Sequence, residues 1–598
     1  MTDMRMCLRI LCMMLLAAAA VFGQAARGTI TGTVTDPAGA VIPEASIEAV
    51  NSETGAVYQV KTSSTGNYTL ANLPPGIYSL SASMPGFKKF VRSGITVMAA
   101  QILRIDIGLE VGTITETVTV NADAPLLRTE SGDLTHIVSG SKLQDLPVVA
   151  FGGLIRDPLA AAQLIPGARQ VSAAVFRVHG APNFTQAIRI EGQDATNTSI
   201  PFAPHQNQAN VEAVEEFSIQ VSNYAPEYGQ AGGGIINLTV KSGTNDYHGS
   251  AYDYISNEAL NAPLPWLKTK SRSRKHNWGF TFSGPFSIPK LYDARNKTFF
   301  FLGLEQMRNN MSVVGTYATV PTDNYRKGDF REALTGRVAA VKDPLGRTIY
   351  EGTIYDPRTD RVAPDGRRVR DPFMGCDGKT LNVICTDPSS PYYYQLDPVA
   401  LKIQALIPRA NQPGVISNYL PPEWPYYEGS TIPTLKIDHN LSVRSKLSFY
   451  YSSTEQIAIR VPMTYNGIDF PGTNRNDTNV NYNTYRLSFD HSLSPTMLLH
   501  LGAGYMGSWW PLIPQYNKFD QVKELGLTGS FITVFPRITG LYTSRGGFDT
   551  TGMGSGVVSR ANSYRPTANA SLTKVVGDHT YKFGADMRIE GYAAAVYG

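Results

Sequence analysis

The stretch Tyr228–Asn245, "YGQAGGGIINLTVKSGTN", decides how this chain is read. Gly229 and Gly234 have the G-x-x-x-x-G spacing that opens a phosphate-cradling loop. Such a loop needs Lys and then Ser or Thr next, to grip the outer phosphates and a magnesium ion. Ile235 and Ile236 stand there instead. The glycines feed an apolar strand, and glycine tolerates close approach and positive φ. The stretch serves folding, not nucleotide binding.

Composition points the same way. At 598 residues there is room for several domains. The charged fraction is 17%, below the roughly 25% of ordinary soluble domains. The chain has 31 Tyr, 24 Phe, 54 Gly and 38 Pro, a β-rich composition with many turns. A net charge of +4 without a basic stripe argues against nucleic-acid binding. The one basic run, "KTKSRSRKHNW" (Lys268–Trp278), reads as a solvated loop.

The N-terminus reads as a cleaved secretory signal over residues 1–25. Arg5 and Arg9 give the positive flank, "ILCMMLLAAAAVF" the apolar core, and Gly23 and Ala25 the small residues at the cleavage site. No small residue precedes Cys12, as lipoprotein processing would want. No later stretch is long and apolar enough for a spanning helix, so entry into a membrane would have to be as a β-barrel. Of four cysteines, Cys7 and Cys12 leave with the signal, and Cys376 and Cys385 are expected to pair in a loop of the exported protein.

Residues 26–110 alternate with period two. Ile30, Gly32 and Val34 face one way and Thr31, Thr33 and Thr35 the other. Turns fall at Asp36–Gly39, Ser64–Gly66 and Pro74–Gly76, so several short strands should form a small sandwich. "GTVTDPAGAVIPEASI", "TGNYTLANLPPGIYSLSAS" and "PGF" resemble the carboxypeptidase regulatory-like domain, which implies a transthyretin-like β-sandwich. Peptidase chemistry does not follow. None of the nine histidines has Glu at +1 or +3, and there is no G-x-S-x-G elbow. No catalytic residue, cofactor site or metal site is expected.

Residues 111–125 form a linker holding the β-prone heptapeptide Glu116, Thr117, Val118, Thr119, Val120, Asn121, Ala122. Two readings stay open: the last strand of the sandwich, or a TonB box that adds itself as a strand to the periplasmic protein TonB. Residues 126–244 contain "LPVVAFGGLIRDPLAAAQLIPGA", "FRVHGAPNFTQAIRIEGQDATN" and "VEAVEEFSIQVSNYAPEYGQAGGGIINLTVKSGTN", which together resemble the α/β plug domain of TonB-dependent outer-membrane receptors. The resemblance makes Ile236, Leu238 and Val240 the plug's last strand. Two departures stand out: Glu191-Gly192 replaces the usual Asp-Gly, and Val148–Gly153 replace a polar turn after "LP".

From residue 245 the chain reads as long amphipathic strands. In "TYKFGADMRIE", Tyr581, Phe583, Ala585, Met587 and Ile589 oppose Lys582, Asp586, Arg588 and Glu590. In "YNTYRLSFDHSL", Tyr485, Leu487 and Phe489 oppose Arg486, Ser488 and Asp490, and a turn at Ser494–Thr496 follows. Trp509 and Trp510 should end a strand at a membrane interface. This is the pattern of an outer-membrane barrel. "KSGTNDYHGSAYDY", "SGPF" and "RNKTFFF" resemble the Oar-like subgroup of TonB-dependent transporters. A polar, proline-rich insertion at about residues 321–430 fits an extracellular loop, with a folded domain as the alternative.

The expected fold is therefore β-dominated: sandwich, α/β plug, and an antiparallel transmembrane barrel over 245–598. About ten strands follow Asn245, whereas barrels that hold a plug have about 22, so the barrel is expected to be partial, a fragment of a longer one. The resemblance implies a cell outer membrane receptor that takes up a surface ligand (a glycan, peptide or metal chelate) with energy from TonB, in contact with outer membrane lipids. A surface adhesion or assembly protein, or a carbohydrate-binding module, anchored by the barrel is the alternative.

Overall fold

The computed structural model describes residues 27–99, 101–113, 117–121, 132–146, 156–172, 175–183, 185–196, 210–224, 228–229, 231–263, 270–313, 317–460, 476–514, 519–529, 535, 540–547 and 558–597. The signal segment and Val148–Gly153 lie outside them.

The N-terminal sandwich contains β1 (Gly28–Thr35), β2 (Ser46–Asn51), β3 (Val57–Lys61), β4 (Asn67–Leu73), β5 (Gly76–Ser83), β6 (Lys89–Val97), β7 (Ile102–Arg104), β8 (Ile107–Gly108) and β9 (Thr117–Asn121). One sheet runs β4-β1-β7, with β8 also on β1, and the other runs β3-β2-β5-β6-β9. Alternation in β1 places Ile30 and Val34 inward, where they meet Ile47, Leu70, Leu80 and Ile105. Burying each such side chain contributes about 1.5–3 kcal/mol. Two tyrosines are buried with their hydroxyls satisfied: Tyr68 donates to the Ile105 carbonyl (2.6 Å) and Tyr78 to that of Pro74 (2.8 Å).

Next comes a small α/β domain with β10 (Leu134–Ser139), a helix over Gly140–Asp145, a β11–β12 hairpin (Ala168–Ser172, Val175–Val178), β13 (Ala187–Ile190), β14 (Gln193–Asp194), β15 (Val214–Ser222) and β16 (Ile235–Val240). Its main sheet has the order β10-β15-β16-β13-β14, in which β13 and β16 are parallel. Gly234 immediately precedes β16 with φ +109°, and a Cβ there would stand 3.0 Å from the Gln220 carbonyl oxygen. The backbone contact that makes the sheet turn back is therefore at Gly234. A Cβ at Gly229 meets no described atom within 4 Å.

The remaining long strands form one antiparallel sheet: β17 (His248–Asn257), β18 (Ser273–Pro285), β19 (Thr298–Val313), β22 (Trp424–Ser442), β23 (Ser445–Arg460), β24 (Asn476–Ser494), β25 (Met497–Pro514), β28 (Val558–Val576) and β29 (His579–Arg588). β30 (Gly591–Tyr597) pairs with the first half of β28, whose second half pairs with β29. The strands between β19 and β22 (β20, Tyr355–Val362; β21, Arg368–Pro372) form a separate hairpin, as do β26 (Tyr542–Thr543) and β27 (Gly546–Gly547). The basic run is not wholly loop: from Ser273 onward it is β18, whose Arg274 pairs with Glu258 (3.1 Å). The turn after β24 is two residues, Pro495–Thr496, because Ser494 already pairs with Met497. Trp509 and Trp510 lie inside β25, which runs on to Pro514.

The burial pattern of this sheet is the reverse of a soluble one. Tyr485 and Leu487 are 40% and 44% exposed, whereas Arg486 between them is 2% exposed. The apolar side faces outward and the polar side faces the α/β domain, as lipid outside and protein inside require. The turns after β22, β24 and β28 are two residues each and lie at one end, beside the sandwich, whereas the long connection from β19 to β22 leaves from the other end. β22 begins at Trp424, so the long insertion ends there. It is folded: Cys376 and Cys385 are disulfide-bonded, and Ala318, Val320 and Ile407 share a small core with Leu525 and Phe535 of the loop after β25.

Candidate functional site

Among the described residues no group of three or more His, Cys, Asp or Glu could hold a metal ion. The chemistry of the molecule is concentrated instead where the α/β domain meets the polar face of the long sheet.

The segment "RIEGQDAT" (Arg189–Thr196) makes the first contact. The β13–β14 turn needs two left-handed residues, and Glu191 (φ +52°) and Gly192 (φ +77°) supply them. That turn presents the Glu191 carboxylate to Lys436 (2.9 Å) and to the Val240 amide (2.7 Å), while Lys436 also donates to the Val240 carbonyl (2.8 Å). Around the corner Arg189 pairs with Asp586 (3.1 Å) and Asp194 with Arg588 (3.0 Å). Arg486 donates to the Asp194 carbonyl (2.8 Å), and Gln193 to that of Leu487 (3.2 Å). Asp586 and Arg588 belong to the polar face read from the sequence, and it is this face that grips the domain.

The second contact centres on Arg156 and Glu212, a buried pair 3.0 Å apart. The Arg156 guanidinium lies 4.3 Å from the Tyr254 ring centre and 5.5 Å from that of Tyr252, both on β17. Beside it the Glu305 carboxylate of β19 accepts from the Val211 amide (3.1 Å). Asp157 caps a 3-10 turn by accepting from the Leu159 amide (2.9 Å). Burial pushes its carboxyl up to about 7, because desolvation disfavours the charged form.

The third contact ties the sandwich to both neighbours. Arg27 pairs with Asp490, which also bonds His500 (2.8 Å). The Ala99 amide donates to both oxygens of Glu216 (3.0 and 3.1 Å). Between sandwich, α/β domain and sheet lies a cavity of about 400 Å³ lined by Arg27, Glu191, Lys241, Lys436, Lys446 and Asp490 among others.

The heptapeptide lies apart from these contacts. Thr117–Asn121 are β9, paired in parallel with Lys89–Ser93 of β6, while Glu116 and Ala122 fall outside the described residues. Sequence reasoning missed Arg189, Asp194, Arg486 and Lys436. The only local signal was the polar phase of each strand, since their partners lie hundreds of residues away.

Comparison with known proteins follows the same division. The family described as "Outer membrane beta barrel domain" matches residues 239–594, and the carboxypeptidase regulatory-like domain matches residues 29–110. The TonB-dependent transporter Oar of Myxococcus xanthus is 28% identical over 247 residues, which cover 40% of this chain and 23% of that protein. The outer membrane transporter YddB from Escherichia coli is 10% identical with a TM-score of 0.37, over 77% of this chain and 54% of YddB. The siderophore receptor PirA from Acinetobacter baumannii is 12% identical with a TM-score of 0.33, over 77% of this chain and 57% of PirA. The matches thus span about a quarter of the curated relative's length and little over half of the solved ones. Since residues 239–594 are more than half of its length, the chain belongs to the outer membrane beta barrel domain family.

Proposed function

We propose that the chain serves TonB-dependent transport across the outer membrane. In this reading residues 126–244 are a plug inside the partial barrel wall, ligand binds on the long-loop side, and TonB in the periplasm acts on Glu116–Ala122. The observation that carries it is the pinning of the α/β domain to the polar face of the sheet by Glu191–Lys436, Arg189–Asp586 and Asp194–Arg588. A sheet that only anchored a surface protein would have no need to hold a separate domain through ion pairs. Direct charge pairs also suit a plug that must be held and then moved, because each can re-form with water once displaced.

The test is in-cell labelling of Gln193→Cys, a position that is 2% exposed. In cells growing on complex medium, so that the natural ligand is present, a thiol reagent should label it while the proton-motive force is intact. Labelling should stop with a protonophore or on deletion of Glu116–Ala122. Equal labelling in energised and de-energised cells would rule out energy-driven plug movement.

A further inference from the structure

The sandwich offers its strand edges unequally. β3 is closed by the short-turn rim of the long sheet, where Lys446 donates to the Val57 carbonyl (3.0 Å) and the Lys61 amide to the Pro495 carbonyl (3.3 Å). β4 meets the same rim: Asn67 donates to Asp578 (2.7 Å), and Thr69 and Thr580 share a hydrogen bond (3.1 Å). At the far end of the five-stranded sheet, β9 pairs with β6 on one side, and among the described residues no strand pairs with its other side. Exposed edges are normally blunted by Lys, Pro, a charge or a bulge. "TVTVN" contains none of these residues, and its register with β6 has no shift.

We propose that the open edge of β9 accepts a strand of TonB's periplasmic domain while β9 stays on β6, so that sandwich, β9 and partner become one continuous sheet. This rests on the TonB reading above. What it adds is a role for the sandwich, as a fixed template on which the contact strand is already ordered. A free heptapeptide would lose its conformational entropy on binding, whereas β9 has lost it already. β3 and β9 are the two outer strands of the five-stranded sheet, so the open edge lies opposite the edge docked on the rim.

Val91 and Thr119 face each other in the β6–β9 register, so Val91→Cys with Thr119→Cys locks the two strands on oxidation. The probe is the purified periplasmic domain of TonB, titrated against the full chain in detergent. The oxidised variant should bind within about twofold of wild type, less than the tenfold that corresponds to 1.4 kcal/mol. Loss of binding on oxidation, restored by reduction, would show that β9 must leave β6 and would overturn the proposal.

Val118→Pro and Thr119→Pro supply a second measurement that does not depend on the lock. Successive strand N–H groups point to opposite edges, so one of these prolines removes a donor from the open edge alone. That one should weaken binding more than about tenfold while the β6 amides keep their protection from hydrogen exchange. Wild-type affinity in both would also overturn the proposal. If deleting Glu116–Ala122 leaves binding intact, the TonB reading itself falls; if deletion abolishes binding but so does the lock, only the continuous sheet falls.

Discussion

Removing one partner of the Glu191–Lys436 pair should loosen the α/β domain far more than removing both. Lys436 is 5% exposed as a residue, and its ammonium has two oxygen partners, the Glu191 carboxylate and the Val240 carbonyl. Glu191→Gln leaves that ammonium buried beside a neutral amide. Lys436→Met leaves the carboxylate with the Val240 amide alone. Stranding one member of a buried pair costs about 3–5 kcal/mol, whereas replacing both by neutral groups is often near neutral. The assay is hydrogen–deuterium exchange of β13 and β16 amides in the full chain, which reads the free energy of local opening. At 1.4 kcal/mol per decade, each single variant should lower protection by roughly two to three orders of magnitude. The double variant should be less damaged than either single one, so its loss falls short of the sum by about 3 kcal/mol or more. Additive effects, or single-variant losses under about tenfold, would show that the pair does not hold the domain against the sheet.

Other consequences can be checked on the same protein. Asp157 has a folded pKa of about 7 against an ordinary 3.8, so the unfolded chain ionises first. Its stabilising share is full below about pH 4 and is lost as pH rises toward 7. Asp157→Asn, which can still cap the turn, should flatten the pH dependence of α/β-domain protection over that window and raise protection at neutral pH. Gly234→Ala should destabilise the β15–β16 region by about 1–3 kcal/mol because of its positive φ and crowded Cβ, while Gly229→Ala should change exchange little. Replacing Cys376 and Cys385 by Ser should speed proteolysis within residues 317–423 and leave the strands protected, since closing so short a loop contributes about 2–3 kcal/mol.

The alternation of Tyr485, Arg486, Leu487 and Ser488 was enough to assign a strand and separate its faces, because side chains in a strand point to opposite sides in strict turn. The same local rule made Asp586 and Arg588 members of one polar face, and the turn residues around β1 to β5 delimited the sandwich. Gly229 and Gly234 read alike in the sequence, and only the structure shows that the close approach falls at Gly234. The partners were not legible. Asp194 meets Arg486 and Arg588 across 292 and 394 residues, and periodicity carries no information about which inward charge faces which. The tertiary structure also seats Thr117–Asn121 on β6, a pairing that the heptapeptide did not specify because backbone hydrogen bonds need almost no side-chain identity. The insertion around Cys376 is the third case. A small core at its Ile407 is shared with Leu525 and Phe535, apolar surface from a different loop that is brought near only once the long strands between them have paired.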